Sequence, residues 1–403
     1  MTLATPIAKQ VIYKEETTFG VAAGASSAQR LRRVESTLDL VKDTYQSQEK
    51  RSDYQIADFR HGVRRVAGNI KGELSAGTYK DFMAAALRKA FTAKSDLTSL
   101  DLTIAASGTV WTIERDAGSW LTDEVKIGDV IRLSVGTLNI ANASKNLVII
   151  AAAADLITVV PLNGEALVAE GIITGCTVSF PGKKTLAPLT GHTNKSFSIE
   201  HFYSDILQSE LFKGCKVNTM NIELPSTGMA MVDFGMMGQN VQEATSAYFT
   251  SPADETGTGT LAAVNGILVA NGAPIAICTG LSLAINGGYG ADPVVGSNQL
   301  PELFPGPISV SGQFSAYFED AALRSAFWNE TEISLIGAFT ADESGTADFI
   351  SFVLPRIKVG GASKNDADKG IVATYPFTGL LNTSGGTGIS SDRTTLAIQD
   401  SQA

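Results

Sequence analysis

The residues able to carry chemistry are few and do not converge. His61, His192 and His201 are the only histidines in 403 residues. None stands at metal-ligand spacing from another or from Cys176, Cys215 or Cys278. The cysteines lack CxxC spacing, which excludes a zinc knuckle and a disulfide framework, and all three read as small core residues. No HExxH pair, Walker A loop or nucleophile elbow occurs, so metal-assisted hydrolysis, nucleotide binding and serine chemistry lack their parts. Asp342 and Glu343 are adjacent, but in a polar stretch without the apolar setting that raises a carboxyl into the general-acid range. Gly287-Gly288-Tyr289-Gly290 has the glycines of a phosphate cradle, yet no helix signal follows, and it reads as a strand-connecting turn. Met229, Met231, Met236 and Met237 stand at strand spacing and read as packing rather than as an adaptable binding face. The expectation is a chain with no catalytic, cofactor or metal site.

Composition narrows the classes further. With 44% hydrophobic and 18% charged residues the chain is globular rather than disordered, and its length suggests two or three domains. Acids outnumber bases by 41 to 31, which argues against a dominant nucleic-acid-binding face. The imbalance is uneven: residues 1–94 hold 16 bases and 10 acids, and the remainder 15 bases and 31 acids. Arg30, Arg32, Arg33, Arg60, Arg64 and Arg65 read as solvated or ion-paired surface, or as a basic surface meeting an acidic one on another copy. No aromatic residues interleave with them as nucleic-acid stacking would need. Residues 1–30 lack the apolar core of a secretory signal. The uncharged stretch between Glu255 and Asp292 is cut by Asn265, Gly266, Asn271, Gly272, Pro274 and Gly280 into runs too short to span a bilayer. Asn271-Gly272 between apolar runs, Ile267-Leu268-Val269 and Ile275-Ala276-Ile277, predicts a hairpin turn. A soluble protein made in a reducing cytoplasm, without membrane insertion, is expected.

What organises the chain is a repeat. Gly72-Glu73-Leu74-Ser75 returns as Gly312-Gln313-Phe314-Ser315, and each precedes an Ala-rich helix, AALRKAF at 85–91 and AALRSAF at 321–327. Upstream, Leu38-Asp39-Leu40 matches Leu281-Ser282-Leu283, each followed by a polar loop and an alternating strand, Val66 to Leu74 or Ile308 to Phe314. Downstream, Glu332 to Leu335, Phe349 to Leu354, Pro355 and Ile371 to Phe377 echo Ser196 to Ile199, Cys215 to Met220, Leu224-Pro225 and Met229 to Phe234. The first copy is interrupted. Its insertion carries short β-rich runs (Val125 to Leu133 with a Gly128-Asp129 turn, Leu147 to Ile150, Leu156 to Val160, Cys176 to Phe180) and reads as a small β-barrel or sandwich. An inserted domain costs little closure entropy at a loop tip.

The predicted organisation is mainly β with minor α. Unit A spans 1–94 and 190–250 with an N-terminal arm 1–35. An inserted β-domain spans 95–189, and unit B spans 251–403 with a Gly- and Ser-rich, flexible C-terminal arm 382–403.

The order of elements resembles the tail tube (major tail) proteins of long-tailed bacteriophages. The resemblance rests on Glu16-Thr17-Thr18-Phe19-Gly20 closing the N-terminal segment and on the long polar loop of residues 43–60 between two strands. It rests also on Val66 to Leu74 leading into the Ala-rich helix, and on the Pro-led breaks at Leu224-Pro225 and Leu354-Pro355. It implies two tandem β-sandwich units, each with a flanking helix, and a ring-forming subunit whose rings stack into a conduit for the genome. Family rings are sixfold, so a duplicated chain is expected to form a homotrimer with pseudo-sixfold symmetry, a homohexamer being the alternative. The loop bearing Lys42, Asp43, Glu49, Lys50, Arg51, Asp53 and Asp58 would make ring-to-ring contacts, as its equivalent does in the family. The two arms would cross neighbouring subunits. Alternation nominates Glu73, Glu200 and Glu223 as acids of a lumen that repels DNA phosphates. Other tail proteins at the tube ends, a tape measure protein in the lumen and passing viral DNA are the implied partners. The implied location is the virion tail, after synthesis in the bacterial host. Two other readings compete. A capsid decoration or surface-layer subunit would form sheets or spikes instead of rods. A carbohydrate-active enzyme would need paired carboxylates in an aromatic cleft, whereas Trp111, Trp120 and Trp328 are scattered.

Overall fold

The computed structural model describes residues 3–164, 166–275, 278–318, 322–365 and 370–403. The first unit opens with β1 (Lys9–Glu15), β2 (Gln29–Arg30), β3 (Glu35–Ser36), β4 (Asp39–Gln46), β5 (Phe59–Glu73) and the helix α1 (Lys80–Leu87). The insertion contributes β6 (Leu97–Ser107), β7 (Val110–Arg115), β8 (Val130–Ser134), β9 (Leu147–Ala152), β10 (Leu156–Pro161) and β11 (Glu170–Ser179). The chain returns through β12 (Lys183–Leu186) to β13 (Phe197–Tyr203), β14 (Gln208–Pro225), β15 (Met231–Gly238) and β16 (Asn240–Ala244). The second unit holds β17 (Gly266–Ala270), β18 (Ala273–Pro274), β19 (Cys278–Asn286), β20 (Ser309–Tyr317) and the helix α2 (Ala322–Trp328). It ends with β21 (Glu332–Thr340), β22 (Phe349–Val359), β23 (Ser363–Lys364), β24 (Val372–Gly379) and β25 (Ala397–Asp400).

The two units share one wiring. In the first, β4, β5, β15 and the C-terminal half of β14 make one sheet, while the N-terminal half of β14 joins β13, β1 and β16 in another. In the second, β19, β20, β24 and the end of β22 make one sheet, while the start of β22 joins β21, β17 and β25. Each long strand changes sheets through a bulge that inserts one residue, between Phe212 and Cys215 in β14 and between Leu354 and Ile357 in β22. This register revises the sequence alignment in two places. Pro355 marks the bulge inside β22 and is not the counterpart of Pro225, because Lys216 opposes Met237 as Lys358 opposes Thr378. Upstream, Glu35 faces Lys71 and Ser36 faces Ile70, so β3, rather than Leu38 to Leu40, repeats the pairing of β19 with β20.

Helix α1 fills the first unit: the Phe82 ring lies 4.8 Å from that of Tyr13, 5.1 Å from Phe197 and 5.4 Å from Phe234, joining both sheets. Its repeat α2 begins at Ala322, Ala321 lying outside the described residues, and it is half-buried where α1 is buried. The Asn271-Gly272 turn is present, with φ of 50° and 77° between paired β17 and β18, the type I′ signature. Ala276 and Ile277 of that run lie outside the described residues.

Strands β6 to β11 close into a six-stranded barrel in the order β10-β7-β6-β11-β8-β9 around Trp120, Leu133 and Ile149. The barrel packs on the second unit, not the first. Val130, Val148, Ile150 and Leu162 meet Val269, Ile336, Phe349 and Val353 on the outward face of β17, β21 and β22. That contact explains why residues 349–354 are almost continuously apolar: Phe349 and Val353 face the barrel, Ile350, Phe352 and Leu354 the core.

Two expectations are overturned at the margins. The C-terminal segment is not a flexible arm, because β25 is buried between β22 and β12 and Leu396 to Asp400 are fully packed. The insertion also stops short of residue 189, since β12 belongs to the main sheet beside β25. Between them lies a buried ionic cluster. The Asp129 carboxylate receives Lys184 Nζ at 2.5 Å and Lys94 Nζ at 3.4 Å, and Lys184 also meets Asp392 at 2.5 Å.

Candidate functional site

Alternation gives each strand of the longer sheet one apolar and one polar face, and the register decides what lies side by side. Seven pairs, Thr219 to Pro225 against Gly280 to Asn286, join β14 of the first unit to β19 of the second. The result is an uninterrupted order β4-β5-β15-β14-β19-β20-β24-β22. One face supplies the shared core, including Ile70, Phe234, Ile222, Leu283, Phe314 and Tyr375. The other face carries cross-strand rows. Glu73, Met231, Glu223, Ser282 and Gln313 form one row, and Lys71, Asp233, Asn221, Ala284 and Ser311 the next. Its acids fall on the first unit; the second contributes serine, threonine and glutamine, with Lys358 ending the second row opposite Thr378.

Glu73 and Glu223 therefore share the polar face. Glu200 does not. It is 0% exposed, accepting hydrogen bonds from Ser209 Oγ at 2.5 Å, Tyr248 N at 2.6 Å and Phe249 N at 3.1 Å. Strand β13 belongs to the other sheet, and residues 245–250 fold over the face that alternation left polar. Replacing Glu200 with alanine strands two amides and a hydroxyl and should cost about 2–3 kcal/mol in chemical denaturation. The same change at exposed Glu223 should stay within roughly 0.5 kcal/mol. Equal costs would contradict this assignment. Glu16 is a second buried carboxylate, bound by Ser196 Oγ, Ser198 Oγ and the amides of Gly20 and Gly214. The Glu16-to-Gly20 segment is thus a clasp between the N-terminus and the β13–β14 pair.

The hairpin of β4 and β5 projects past the sheet, and the residues nominated from the sequence lie along it. Asp43 pairs with Arg65 at 2.7 Å, Arg51 with Asp53 at 2.8 Å and Asp58 with Arg60 at 2.9 Å. Lys42 opposes Arg64 across the strands, while Glu49 and Lys50 are exposed at the turn. The same hairpin exposes Tyr54 (98%), Ile56 (66%) and Phe59 (49%), apolar area that the other described residues leave largely open, with His61 against one side of the Phe59 ring.

The equivalent connection in the second unit, residues 287–308, behaves oppositely. It lies on the first unit, with Tyr289, Leu300 and Leu303 packed against Phe19, Val63 and Met237. Lys216, 1% exposed and flanked by Cys215 and Val217, donates to Glu302 Oε1 at 2.5 Å and to the Leu303 carbonyl at 3.0 Å. Arg88 donates to the carbonyls of Gly306 and Gly287, and Gln239 to that of Leu300. Burial pushes the Lys216 ammonium below its ordinary value, against the pull of Glu302. The sequence reading missed this cradle; its signal was a lysine set between Cys215 and Val217. His201 is also buried, its Nε2 2.8 Å from Ser36 Oγ, and burial lowers its pKa against the pull of Glu210, so it reads as a packed core side chain.

A continuous sheet built from two repeats, a polar face and an uncovered hairpin describe a subunit made to join others. A family model described as phage tail tube protein matches residues 8–379. The chain belongs to that family. The match runs from the start of β1 to the end of β24, so both units of this tail tube protein lie within it. A search of curated proteins finds no match. Membership makes the tail tube protein a structural subunit of the phage tail, placed in the virion, in a family that is structural rather than enzymatic.

Proposed function

We propose that three copies of this tail tube protein close into a ring and that rings stack into the conduit through which the genome leaves. The observation that carries this is the β14–β19 junction. It pairs the last strand of one unit's sheet with the first strand of the next, and leaves the corresponding edges, β3–β4 and the β23 side that continues from β22, at the two ends of the sheet. A heterologous junction that repeats at each end closes a ring, and closure removes both exposed edges. Three copies of the eight-stranded sheet give a barrel of about 24 strands, roughly 50 Å across at the backbone for strands ~4.8 Å apart and tilted ~40°.

The polar face would then line the lumen. Glu73, Glu223 and Asp233 outnumber Lys71 and Lys358 there, and between acidic stripes lie serine and threonine stripes, so DNA phosphates find few cations to hold them. The inserted barrel rests on the opposite side of the second unit, which suits the outside of a tube. The hairpin bearing Lys42 to Asp58 supplies contacts to other copies. A tape measure protein in the lumen and other tail proteins at the tube ends are the partners this geometry admits. Native mass spectrometry and negative-stain microscopy of purified protein test the reading: multiples of three chains and hollow rods are expected. A monomer at all concentrations would overturn it, and a six-chain ring would reject the pseudo-sixfold arrangement.

A further inference from the structure

The repeat lets one unit forecast what covers the other. By the shared register Lys358 is the counterpart of Lys216, Thr378 of Met237 and Leu380 of Gln239. In the first unit this seat is filled by residues 287–306, and α1 above it is buried. In the second unit the same place is an open groove of about 590 Å³ lined by Phe327, Trp328, Lys358, Val359, Thr378 and Leu380. Trp328 is 65% exposed there, and Lys358 is held by Glu330 in a solvent-exposed pair.

We propose that the hairpin turn of a second copy, residues 47–58, occupies this groove. The inference rests on the ring reading and names the contact within it. The occupied seat takes the connection between β19 and β20, the two strands that follow the β14–β19 junction. Around the ring the corresponding connection is that between β4 and β5, carried by the copy whose β3–β4 edge meets β22–β23. The chemistry repeats as well. The occupied seat takes a tyrosine, two aliphatic side chains and an acid for its lysine; the hairpin offers Tyr54, Ile56 and Phe59, and Glu49 is in no ion pair among the described residues. The hairpin is then a latch between neighbours within one ring, whereas the family resemblance assigns it to contacts between rings.

A cysteine pair separates the two. Ile56→Cys with Leu380→Cys, oxidised in isolated rings, should give a covalent species of three chains on a non-reducing gel, and neither single variant should. Trp328→Ser, at an exposed position, should raise the concentration needed for ring formation about tenfold while the melting curve of the monomer stays unchanged. Rings visible by microscopy without cross-linking would overturn the latch and leave the ring reading standing. Cross-linked ladders longer than three chains, formed only in stacked tubes, would overturn it in favour of ring-to-ring contact. A wild-type protein that stays monomeric by native mass would remove the ring reading and the latch together.

Discussion

Asp129→Ala should lower the stability of the folded chain by about 3–5 kcal/mol at neutral pH, because removing one member of a buried ionic cluster leaves its partners uncompensated. The carboxylate is the meeting point of Lys184, Lys94 and the Lys126 amide, and it sits where the barrel, the returning β12 and the loop before β25 come together. Burial alone would push its pKa up, but Lys184 and Lys94 outweigh burial and hold it below the ordinary value of 3.8. A depressed carboxyl stabilises the fold fully above its unfolded value and loses that contribution as pH falls through the folded one. The gap between wild type and Asp129→Ala should therefore be widest near pH 7 and shrink below about pH 4. Thermal melts at pH 7 and pH 3 check this. Equal melts at pH 7 would show that the cluster adds nothing to the attachment of the barrel.

The triple change Tyr54→Ser, Ile56→Ser and Phe59→Ser should abolish assembly and leave the monomer intact. All three side chains are exposed in the single chain, so their loss should alter its stability by no more than roughly 0.5 kcal/mol. Buried in a contact, apolar side chains of this size contribute ~1.5–3 kcal/mol each. Losing even two of the three is worth ~4 kcal/mol per contact, close to a 1,000-fold rise in the assembly threshold. Analytical ultracentrifugation across a concentration series reads the threshold, and circular dichroism reads the fold. Unchanged assembly would remove the hairpin from the interface altogether.

The first prediction rests on a residue that the sequence displayed without explaining. Asp129 reads as the second residue of a Gly-Asp turn, and it is one: Gly128 has a φ of 89° and Lys126 N donates to the Asp129 carboxylate. Its lysines come from 35 and 55 residues away. Lys216 likewise carries no local mark of its acid, Glu302, which arrives from the other repeat.

Alternation and self-similarity determined much of this protein. They fix which side of each strand is apolar, that two units share one plan, that a barrel interrupts the first, and that Glu73 and Glu223 lie on one face, since side-chain period is a property of the local chain. Tertiary structure decided what covers each face. Glu200 had the spacing of a surface acid until residues 245–250 folded over it, and residues 382–403 had the composition of a loose arm until β25 found the open side of β22. A polar side chain in a strand and a glycine-rich tail carry no local mark of a distant partner. Burial and strand pairing are set by the partner's free energy, which is supplied from elsewhere in the chain.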